Sequence, residues 1–375
     1  MTRTAAIIPA GGLSSRLEPG FKPLADLGGA TLLERCALAL RAAGVADILV
    51  VAGHRAEDTR AEGARLGLRC VENPDHARGM FTSVRAGLAG LGALPQGLGR
   101  AFVLPVDIPL VRPHTLRALL GAADEGPEAV LHPVFAGQRG HPPLIPAAFF
   151  PDILAWDGTG GLAGALERLP AREVPVADRN IHFDVDTPED LAEARRRGER
   201  RGIPTPQEAV ALLELHGAGE RGLAHGRGVA IAALALARAL AAGGLELDLE
   251  LVESAALLHD IAKAQPRHEA AGAALLEELG YGPLAQIVAV HRDIPPEQAP
   301  RITERELVYL ADKLVWGSTR VSVETRFQQK LDFFAHAPEV CEAIRRRLLH
   351  ALAMRERVER AVGMPLDEIL ARHPQ

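Results

Sequence analysis

Aromatic residues, paired cysteines, positive net charge and long apolar runs are all scarce in this chain of 375 residues. Aromatics supply only 4% of the residues, so alanine, leucine and valine must fill most of the core, which favours helices. Cys36, Cys70 and Cys341 lie far apart and form no CxxC pair, so they predict neither a disulfide framework nor a cysteine-type zinc site. Unpaired cysteines are typical of a reducing compartment, and a cytoplasmic location is therefore predicted.

The chain also lacks a net positive charge and apolar segments of membrane length. The formal net charge is −6, whereas domains that bind nucleic acid through bulk charge are usually basic. The apolar run at the N-terminus is too short for a signal peptide. The longest apolar stretch, 229–242, is interrupted by Arg238 and is shorter than the roughly 20 residues that span a bilayer. We therefore expect no nucleic-acid partner and no membrane partner, and we expect 229–242 to be a core helix.

The order of the apolar segments predicts two domains. A single core rarely grows beyond roughly 250–300 residues, and this chain is longer. Strand-like and helix-like segments alternate over about the first 200 residues, which is typical of an α/β domain with a mostly parallel, Rossmann-like sheet. In such sheets ligands bind at the carboxyl ends of the strands. The strand-like segments are 5–9, 47–52 and 101–104, and the helix-like segments are 31–43 and 83–91.

A run of arginines between residues 195 and 201, followed by Pro204 and Pro206, marks the boundary between the predicted domains, 1–200 and 206–375. The arginines are interpreted as a solvated helix end. Beyond Pro206 no segment has the clear alternation of a strand, so the second domain is predicted to be all-α. Helical periodicity predicts helices over 208–215, 228–242, 249–263, 269–279, 284–291 and 304–316.

A glycine-rich loop follows the first predicted strand. Glycines there let backbone N–H groups face an anion without a Cβ in the way, and serine hydroxyls add further donors. Arg16 and Lys22 carry charges that can neutralise a triphosphate. We therefore predict a nucleotide-binding loop rather than a simple tight turn between strand and helix. Its residues are Ala10, Gly11, Gly12, Ser14, Ser15, Arg16 and Lys22.

Two acidic segments supply candidate metal ligands. Asp107 follows the strand 101–104, and Asp186 precedes a Thr-Pro helix start. Mg²⁺ prefers one or two protein carboxylates, with phosphate oxygens and waters completing its octahedron. We predict that Asp107 and Asp186 bind Mg²⁺, with Asp184 as the substitute ligand. Capping of the following helix is an alternative role for Asp186.

These motifs resemble those of the MobA-like NTP transferases, and in particular those of molybdenum cofactor cytidylyltransferases. The resemblance extends over about residues 5–195, and the segments that carry it are 73–75, 79–88, 139–142 and 183–191. It implies that CMP passes from CTP to the phosphate of a molybdopterin-type acceptor and that pyrophosphate is released. The catalytic residues that it implies are Arg16, Lys22, Asp107 and Asp186.

The resemblance also implies an acceptor site, and a molybdoenzyme or its chaperone as a further partner. Two alternatives remain open. The double glycine at Gly11 and Gly12 is nearer to the related guanylyltransferases, which would make GTP the donor. A sugar or alditol phosphate is an alternative acceptor. The residues implied at the acceptor are Asn73, Ser83, Gly140 and His141.

The helical half carries a second set of metal-ligating residue types. Imidazole and carboxylate ligands suit transition metals such as Fe, Mn or Zn. Buried ionisable groups are costly unless they are paired or bound to a metal, so coordination is favoured over a plain network of buried hydrogen bonds. The four candidate ligands, most of them within apolar helical segments, are His225, His259, Asp260 and Asp312.

This second set resembles the HD phosphohydrolase superfamily over about residues 208–350. His268 and His291 fit members with two metal ions, and a surface or capping role is the alternative for each. The resemblance implies hydrolysis of a phosphoester by a hydroxide that bridges two metal ions. Lys263, one turn after Asp260, is a candidate for binding a phosphate oxygen. The chain is thus predicted to be bifunctional, and an HD domain that senses nucleotides without turnover is the alternative.

Overall fold

A computed structural model describes residues 3–17, 20–92, 97–126, 128–298 and 301–372, apart from the side chain of Ser15. The chain divides into two compact units, residues 1–199 and 200–375. Residues 1, 2, 18, 19, 93–96, 127, 299, 300 and 373–375 of the two predicted domains lie outside the described residues. The hydroxyl of Ser15, predicted to bind nucleotide, also lies outside them.

The first unit is built on one sheet with helices packed against it. Its strands are β1 Arg3–Ala10, β2 Asp47–Ala52, β3 Arg69–Glu72, β4 Leu98–Val103, β5 Val130–Phe135, β6 Gln138–Arg139, β7 Leu144–Pro146 and β8 Ala171–Pro175. Its α-helices are α1 Leu32–Ala42, α2 Ala56–Arg65, α3 Met80–Leu91, α4 Pro113–Asp124, α5 Phe150–Ala155, α6 Gly161–Leu166 and α7 Pro188–Glu199.

The sheet has the strand order β3-β2-β1-β4-β7-β5-β6, and β8 pairs with β5. Strands β1 to β4 are mutually parallel, as is the β5–β8 pair, whereas β7 runs antiparallel to β4 and β5. The first two strands are apolar runs buried on both faces, which is typical of a parallel sheet covered by helices. The prediction of an α/β unit with a mostly parallel sheet is confirmed.

Pairing continues beyond the ends of the strands, at the edge where the predicted ligands lie. The backbone N–H of Leu104 donates to Ile7 O at 3.0 Å, and that of Val106 donates to Pro9 O at 3.2 Å. The segment that leads to Asp107 is therefore tied to the last residues of β1. The glycine loop and the first candidate carboxylate thus leave the sheet side by side.

The second unit is helical, as predicted. Its helices are α8 Pro206–Leu215, α9 Glu220–Ala242, α10 Leu249–Leu258, α11 His268–Glu278, α12 Gly282–Val288, α13 Glu304–Lys313, α14 Val323–Phe333, α15 Pro338–Val362 and α16 Leu366–Ala371. A short hairpin of β9 Val315–Trp316 and β10 Thr319–Arg320 adds to them. The helix predicted over 304–316 therefore ends at Lys313, and the one predicted over 249–263 ends at Leu258.

Helix α9 runs through the core of this unit. Among the described residues it is the helix long and apolar enough to cross a membrane by length and composition, and 56% of its most apolar window is buried inside the unit. A Cβ on Gly226 would lie 2.8 Å from Leu257 O, so this glycine lets α9 approach the end of α10 closely. The burial agrees with the predicted core helix.

Candidate active sites

The first candidate site is a cavity of about 340 Å³ at the carboxyl edge of the sheet. The end of β1, the glycine loop and the segment after β4 form its walls, together with the start of α3. Of the residues predicted from the sequence, it is lined by Ala10, Gly11, Gly12, Ser14, Arg16, Lys22, Ser83, Asp107 and Asp186. The nucleotide loop and both preferred magnesium ligands therefore share one cavity.

The two glycines of the loop have different physical roles. A Cβ on Gly11 would lie 3.2 Å from Gly53 Cα and 3.3 Å from Ser83 Oγ, so this position keeps the loop close to the end of β2. A Cβ on Gly12 would meet nothing within 4 Å. Gly11 thus satisfies a packing requirement, whereas Gly12 leaves the exposed turn of the loop open toward the cavity.

An ion-pair network joins the predicted catalytic residues. The Lys22 ammonium lies 3.3 Å from Asp107 Oδ2 and also contacts Asp186 Oδ1. Arg16 Nη2 lies 2.7 Å from the other oxygen of Asp186, with 68% of the Arg16 side chain exposed. Ser14 Oγ accepts a hydrogen bond from the Lys22 backbone N–H at 3.1 Å, which fixes the loop next to this lysine.

Backbone and capping contacts hold the two carboxylates in place. The N–H of Val185 donates to Asp107 O at 2.7 Å, so the two acidic segments are joined directly. Asp190 accepts hydrogen bonds from the N–H of Asp186 at 3.2 Å and of Thr187 at 2.9 Å. The cap of α7 therefore depends on Asp190 and Thr187, and the Asp186 carboxylate pairs with Lys22 and Arg16 in the cavity instead of capping the helix.

A second cavity, of about 400 Å³, shares Gly79, Met80 and Pro105 with the first. His141 lines it, and Gly140 and His141 line a further cavity of about 300 Å³. Nδ1 of His141 is buried without a hydrogen-bond partner. Burial lowers the pKa of this imidazole, opposed by Asp107 and Asp184, so the ring is neutral near pH 7.

Two residues predicted at this site lie elsewhere than expected. Asn73 is buried, and its amide donates to Thr82 Oγ1 at 2.8 Å and to Ser83 Oγ at 2.9 Å. It positions Ser83 and does not line any of these three cavities. Asp184 is exposed and lines none of them either. Its neighbour Val185 is the buried one, because side chains alternate in an extended segment.

His76 lines the first cavity and was not predicted. Its Nδ1 lies 3.2 Å from Asn73 O, and its ring packs against His54 with 6.5 Å between centroids. It occupies a 3₁₀ turn, His76–Arg78, between two segments that carry the family resemblance. Its position between those segments is the signal that could have identified it.

The second candidate site gathers four histidines and two aspartates of the helical unit. Asp260 lies at its centre: Oδ2 is 3.5 Å from His259 Nε2, and Oδ1 is 3.3 Å from His268 Nε2. Two groups of possible ligand atoms therefore share Asp260, each with its atoms within 4.8 Å of one another. The first group is His225, His259 and Asp260, and the second is Asp260, His268 and His291.

Asp312 completes the first group. Its Oδ1 lies 3.4 Å from His225 Nε2 and 3.6 Å from His259 Nε2. Lys313, which is also buried, donates to Asp312 Oδ2 at 2.8 Å and to His291 O at 2.8 Å. All six residues that were predicted as metal ligands in the helical half thus lie together at this second site.

Backbone carbonyls orient three of the four imidazoles. Nδ1 of His259 lies 2.7 Å from Ala256 O, and Nδ1 of His291 lies 2.6 Å from Val288 O, three residues earlier in each case. Nδ1 of His225 lies 2.9 Å from the carbonyl of Gly317, in the hairpin between β9 and β10. Because a carbonyl only accepts, each Nδ1 carries the proton and each Nε2 presents a lone pair to the centre.

The charges around this centre favour a bound cation. Burial raises the pKa of the Asp260 carboxyl, but His259, His291 and Lys263 outweigh it and hold that pKa well below its usual range. The pKa of Asp312 is also well below its usual value, because Lys313 and the histidines outweigh its burial. Nε2 of His259 is buried and has no hydrogen-bond partner. Two ionised carboxylates and an unpaired imidazole nitrogen fit a transition-metal site.

Comparison with known proteins identifies both units. Residues 6–174 match the family model of the MobA-like NTP transferase domain, and residues 222–317 match that of the HD domain. The phosphoenolpyruvate guanylyltransferase of Rubrobacter xylanophilus is 35% identical over 199 residues, which cover 50% of this chain and 89% of that protein. The chain belongs to the MobA-like NTP transferase family. The predicted resemblance, with an HD domain after it, is confirmed.

Other relatives of this nucleotidyltransferase chain differ in nucleotide. The molybdenum cofactor guanylyltransferase of Rhodopseudomonas palustris is 31% identical over 204 residues, covering 52% of this chain and 93% of that protein. The molybdenum cofactor cytidylyltransferase of Escherichia coli is 26% identical over 198 residues, covering 52% and 98%. The family assignment therefore establishes nucleotidyl transfer and leaves the base and the acceptor to be argued from the site.

Proposed function

We propose that the first unit transfers CMP from CTP to the phosphate of molybdopterin and releases pyrophosphate. The observation that carries the proposal is the pair of adjoining cavities. One contains the glycine loop, Lys22, Asp107 and Asp186, and the other is lined by His141. Two adjoining cavities would allow a triphosphate and a phosphorylated acceptor to bind next to each other. Residues of the segment 79–88 and His141 line the second cavity, and Arg139, Gly140 and His141 line the further cavity of about 300 Å³; both segments resemble those of cytidylyltransferases.

The reaction needs positioning and charge neutralisation rather than a general base. An oxygen of the acceptor phosphate, already ionised, attacks the α-phosphorus of CTP. The bond from the α-phosphorus to the bridging oxygen breaks, and pyrophosphate leaves with that electron pair. Arg16 and Lys22 would hold the departing pyrophosphate, and loop N–H groups would hold the remaining oxygens.

Asp107 and Asp186 fit a magnesium ion, which would offset negative charge on the reacting phosphates when bound. The Lys22 ammonium contacts both carboxylates, so a cation already bridges them. Magnesium commonly uses one or two protein carboxylates. If magnesium took the place of the Lys22 ammonium between the two carboxylates, Lys22 would be available to bind a phosphate oxygen.

The second candidate donor is GTP, with the same acceptor chemistry. Gly11 and Gly12 are closer to the guanylyltransferase pattern, and two of the relatives above are guanylyltransferases. Pyrophosphate release should be measured with CTP or GTP, paired in turn with molybdenum-loaded molybdopterin, phosphoenolpyruvate and a sugar phosphate. We expect the highest kcat/KM for CTP with molybdopterin. A preference for GTP or for another acceptor would contradict the respective half of this proposal.

For the HD unit we propose hydrolysis of a phosphoester with two divalent transition-metal ions. His225, His259, Asp260 and Asp312 would hold one ion, and Asp260, His268 and His291 the other. Bound ions would supply the hydroxide that attacks phosphorus. The contacts of Nδ1 with backbone carbonyls fix the ring orientations of His225, His259 and His291. These three imidazoles would therefore need little rearrangement to bind an ion.

The test is metal analysis followed by phosphatase assays on the full chain. Purified protein, reconstituted separately with Fe²⁺, Mn²⁺ or Zn²⁺, is expected to bind two ions and to hydrolyse one or more of a set of phosphomonoesters and dinucleoside polyphosphates. Two bound ions without turnover of any phosphoester would favour a sensing role instead. Absence of bound metal would contradict both roles.

A further inference from the structure

Arg326 of α14 lies beside the second candidate site, the group of four histidines and two aspartates that is called the HD centre below. Its guanidinium lacks a full set of hydrogen-bond partners. Its Nη2 is 3.8 Å from Asp312 Oδ1, which is beyond hydrogen-bonding distance, and its side chain is only 12% exposed. Its Nε is buried without a hydrogen-bond partner. A buried donor without an acceptor is costly, so this guanidinium is suited to an oxygen-rich group that is supplied from outside the chain.

The ring of Trp316 in β9 contacts the guanidinium of Arg326. The Arg326 Cζ lies 4.4 Å from the centroid of the Trp316 ring, a cation–π distance, and 43% of Trp316 is exposed. Stacking restricts the arginine side chain and leaves the edge of its fork available for bidentate contacts. The hairpin that carries Trp316 also supplies the Gly317 carbonyl that orients His225. One short element thus orients both a metal ligand and this arginine.

Positive charge exceeds negative charge around Arg326. Lys313 already donates to Asp312 at 2.8 Å, and Lys263 lies 2.9 Å from Asp260. Arg326 is therefore not needed to balance either carboxylate. Burial is the main reason that the pKa of Lys330 falls to about 8, and the nearby charges of Arg326 and Lys313 lower it further. Divalent ions in the centre would increase the excess of positive charge, and an anion would relieve it.

We propose that Arg326, with Lys330 beside it and Trp316 behind its guanidinium, binds a phosphate group of the substrate of the HD unit. The inference rests on the proposed hydrolase function and identifies a residue that contacts a phosphate group of its substrate. The substrate is a phosphoester or phosphoanhydride in which a phosphate oxygen reaches the arginine fork while phosphorus faces the metal ligands. Arg326 is thus a substrate-binding residue and not a metal ligand.

The experiment uses the fact that the chain has two tryptophans, Trp156 in the first unit and Trp316 in the second. In a full-length Trp156→Phe protein loaded with Mn²⁺, the emission of Trp316 alone reports on the HD unit. Titration with inorganic phosphate is expected to change that emission and to give a Kd. Arg326→Ala should raise this Kd about tenfold or more, because a charge-assisted fork is lost. Arg326→Lys, which keeps the charge without the fork, should give an intermediate value.

Arg355→Ala is the matched control. Arg355 of α15 pairs at 2.7 Å with Glu324, which lies in α14 two residues before Arg326. The control therefore also removes an arginine that contacts α14. Its phosphate Kd should equal that of the parent. Manganese content and circular dichroism are measured for each variant. The inference is wrong if folded Arg326→Ala binds phosphate as tightly as the parent, or if it loses manganese.

The two proposals fail in different ways. Phosphate binding that depends on Arg326, in a manganese-loaded protein that hydrolyses no phosphoester, would support the anion site and contradict hydrolysis. Turnover of a phosphoester with a KM unchanged in Arg326→Ala would support hydrolysis and contradict the anion site. If both hold, Arg326→Ala should raise KM more than it lowers kcat for the best phosphoester found.

Discussion

The transferase cavity and the HD centre both gather charged side chains, but they leave different groups unpaired. In the transferase cavity Lys22 contacts both Asp107 and Asp186, so the carboxylates already have a cation within the chain. In the HD centre the Nε2 atom of His259 is buried without a partner, although carboxylates lie 3.5 and 3.6 Å away. The carboxylates of the HD centre also pair with cations, because Lys263 lies 2.9 Å from Asp260 and Lys313 donates to Asp312 at 2.8 Å. What distinguishes the HD centre is the unpaired imidazole nitrogen next to those two carboxylates.

The pKa values of buried histidines also differ between the two units. Burial, followed by the nearby Arg139, lowers the pKa of His132 in the sheet to about 4. His259 is fully buried, which by itself lowers its pKa, but Asp260 and Asp312 outweigh that effect and raise it. Glu173 lies opposite His132 in the β5–β8 pair, but this one carboxylate does not offset burial and Arg139. At His259 two carboxylates outweigh the burial. The surroundings, and not the residue type, therefore decide the direction in which the pKa of a buried histidine shifts.

The largest effect should follow from Asp260→Asn, because Asp260 belongs to both groups of ligands. We expect metal affinity to weaken by at least about 100-fold, since changes in the outer shell of metal sites already cost 10–100-fold. His225→Gln and His268→Gln should each remove about one ion per chain. Metal content by mass spectrometry and phosphatase rates measure the effect. Retention of two ions by Asp260→Asn would contradict the shared ligand, and nucleotidyl transfer by all three variants should stay unchanged.

In the transferase unit, Asp186→Asn should lower kcat by about 10²-fold or more, because electrostatic stabilisation of the transferring phosphate is lost. Asp186 lines the cavity and pairs with Lys22 and Arg16. Asp184→Asn is the matched control, because it makes the same change at an exposed residue two positions earlier. It should lower kcat far less. Steady-state pyrophosphate release measures both. Equal losses in the two variants would reinstate Asp184 as a ligand.

Sequence patterns predicted the elements whose signal is long and regular. The strand expected at 47–52 is β2, Asp47–Ala52, and the α/β and helical characters of the two units are confirmed. The hairpin of β9 and β10 escaped prediction because strands of two residues have no measurable period. Helix α10 was predicted to be too long, because the apolar pattern continues beyond Leu258 into the turn that carries His259 and Asp260.

Site chemistry was more predictable than site geometry. Apolar surroundings made His259 and Asp312 conspicuous, and the structure brings them within 3.6 Å of each other. Nothing comparable marks Arg326, a single arginine on a polar helix, whose role depends on the stacking of Trp316 from the unpredicted hairpin. For Asn73 the segment was predicted correctly, but the role of its side chain was not. The motif drew attention to the right segment, but the direction of a single amide side chain depends on tertiary contacts with Thr82 and Ser83.

A smaller effect concerns the neutral histidine of the sheet. The pKa of His132 is about 4 in the folded chain and about 6.5 when unfolded, so between these values the unfolded chain binds more protons. Stability of the first unit should therefore fall as pH drops from about 6.5 toward about 4, by less than about 2 kcal/mol after allowance for partial exposure. His132→Gln should weaken this dependence.

Urea unfolding of a Trp316→Phe protein at pH 7.5 and pH 5.0, followed through Trp156, measures the effect in the first unit. His336→Gln, at an exposed position of the second unit, is the control and should leave the difference between the two pH values unchanged. An equal pH dependence in the parent and in His132→Gln would show that other groups cause it.

The smallest effects come from two matched helix caps, one at each unit. Helices α7 and α8 both begin with Thr-Pro, and the residue three positions after the threonine accepts backbone hydrogen bonds: Asp190 from Thr187 at 2.9 Å and Glu208 from Thr205 at 2.8 Å. Asp190→Asn and Glu208→Gln should each lower the free energy of unfolding by about 1 kcal/mol. Only Asp190 also accepts from the N–H of Asp186, so only its variant should lower nucleotidyl transfer, by a few fold. Urea unfolding and pyrophosphate release separate the two effects. Equal transferase rates in both variants would show that the cap stabilises its helix without positioning the Asp186 carboxylate.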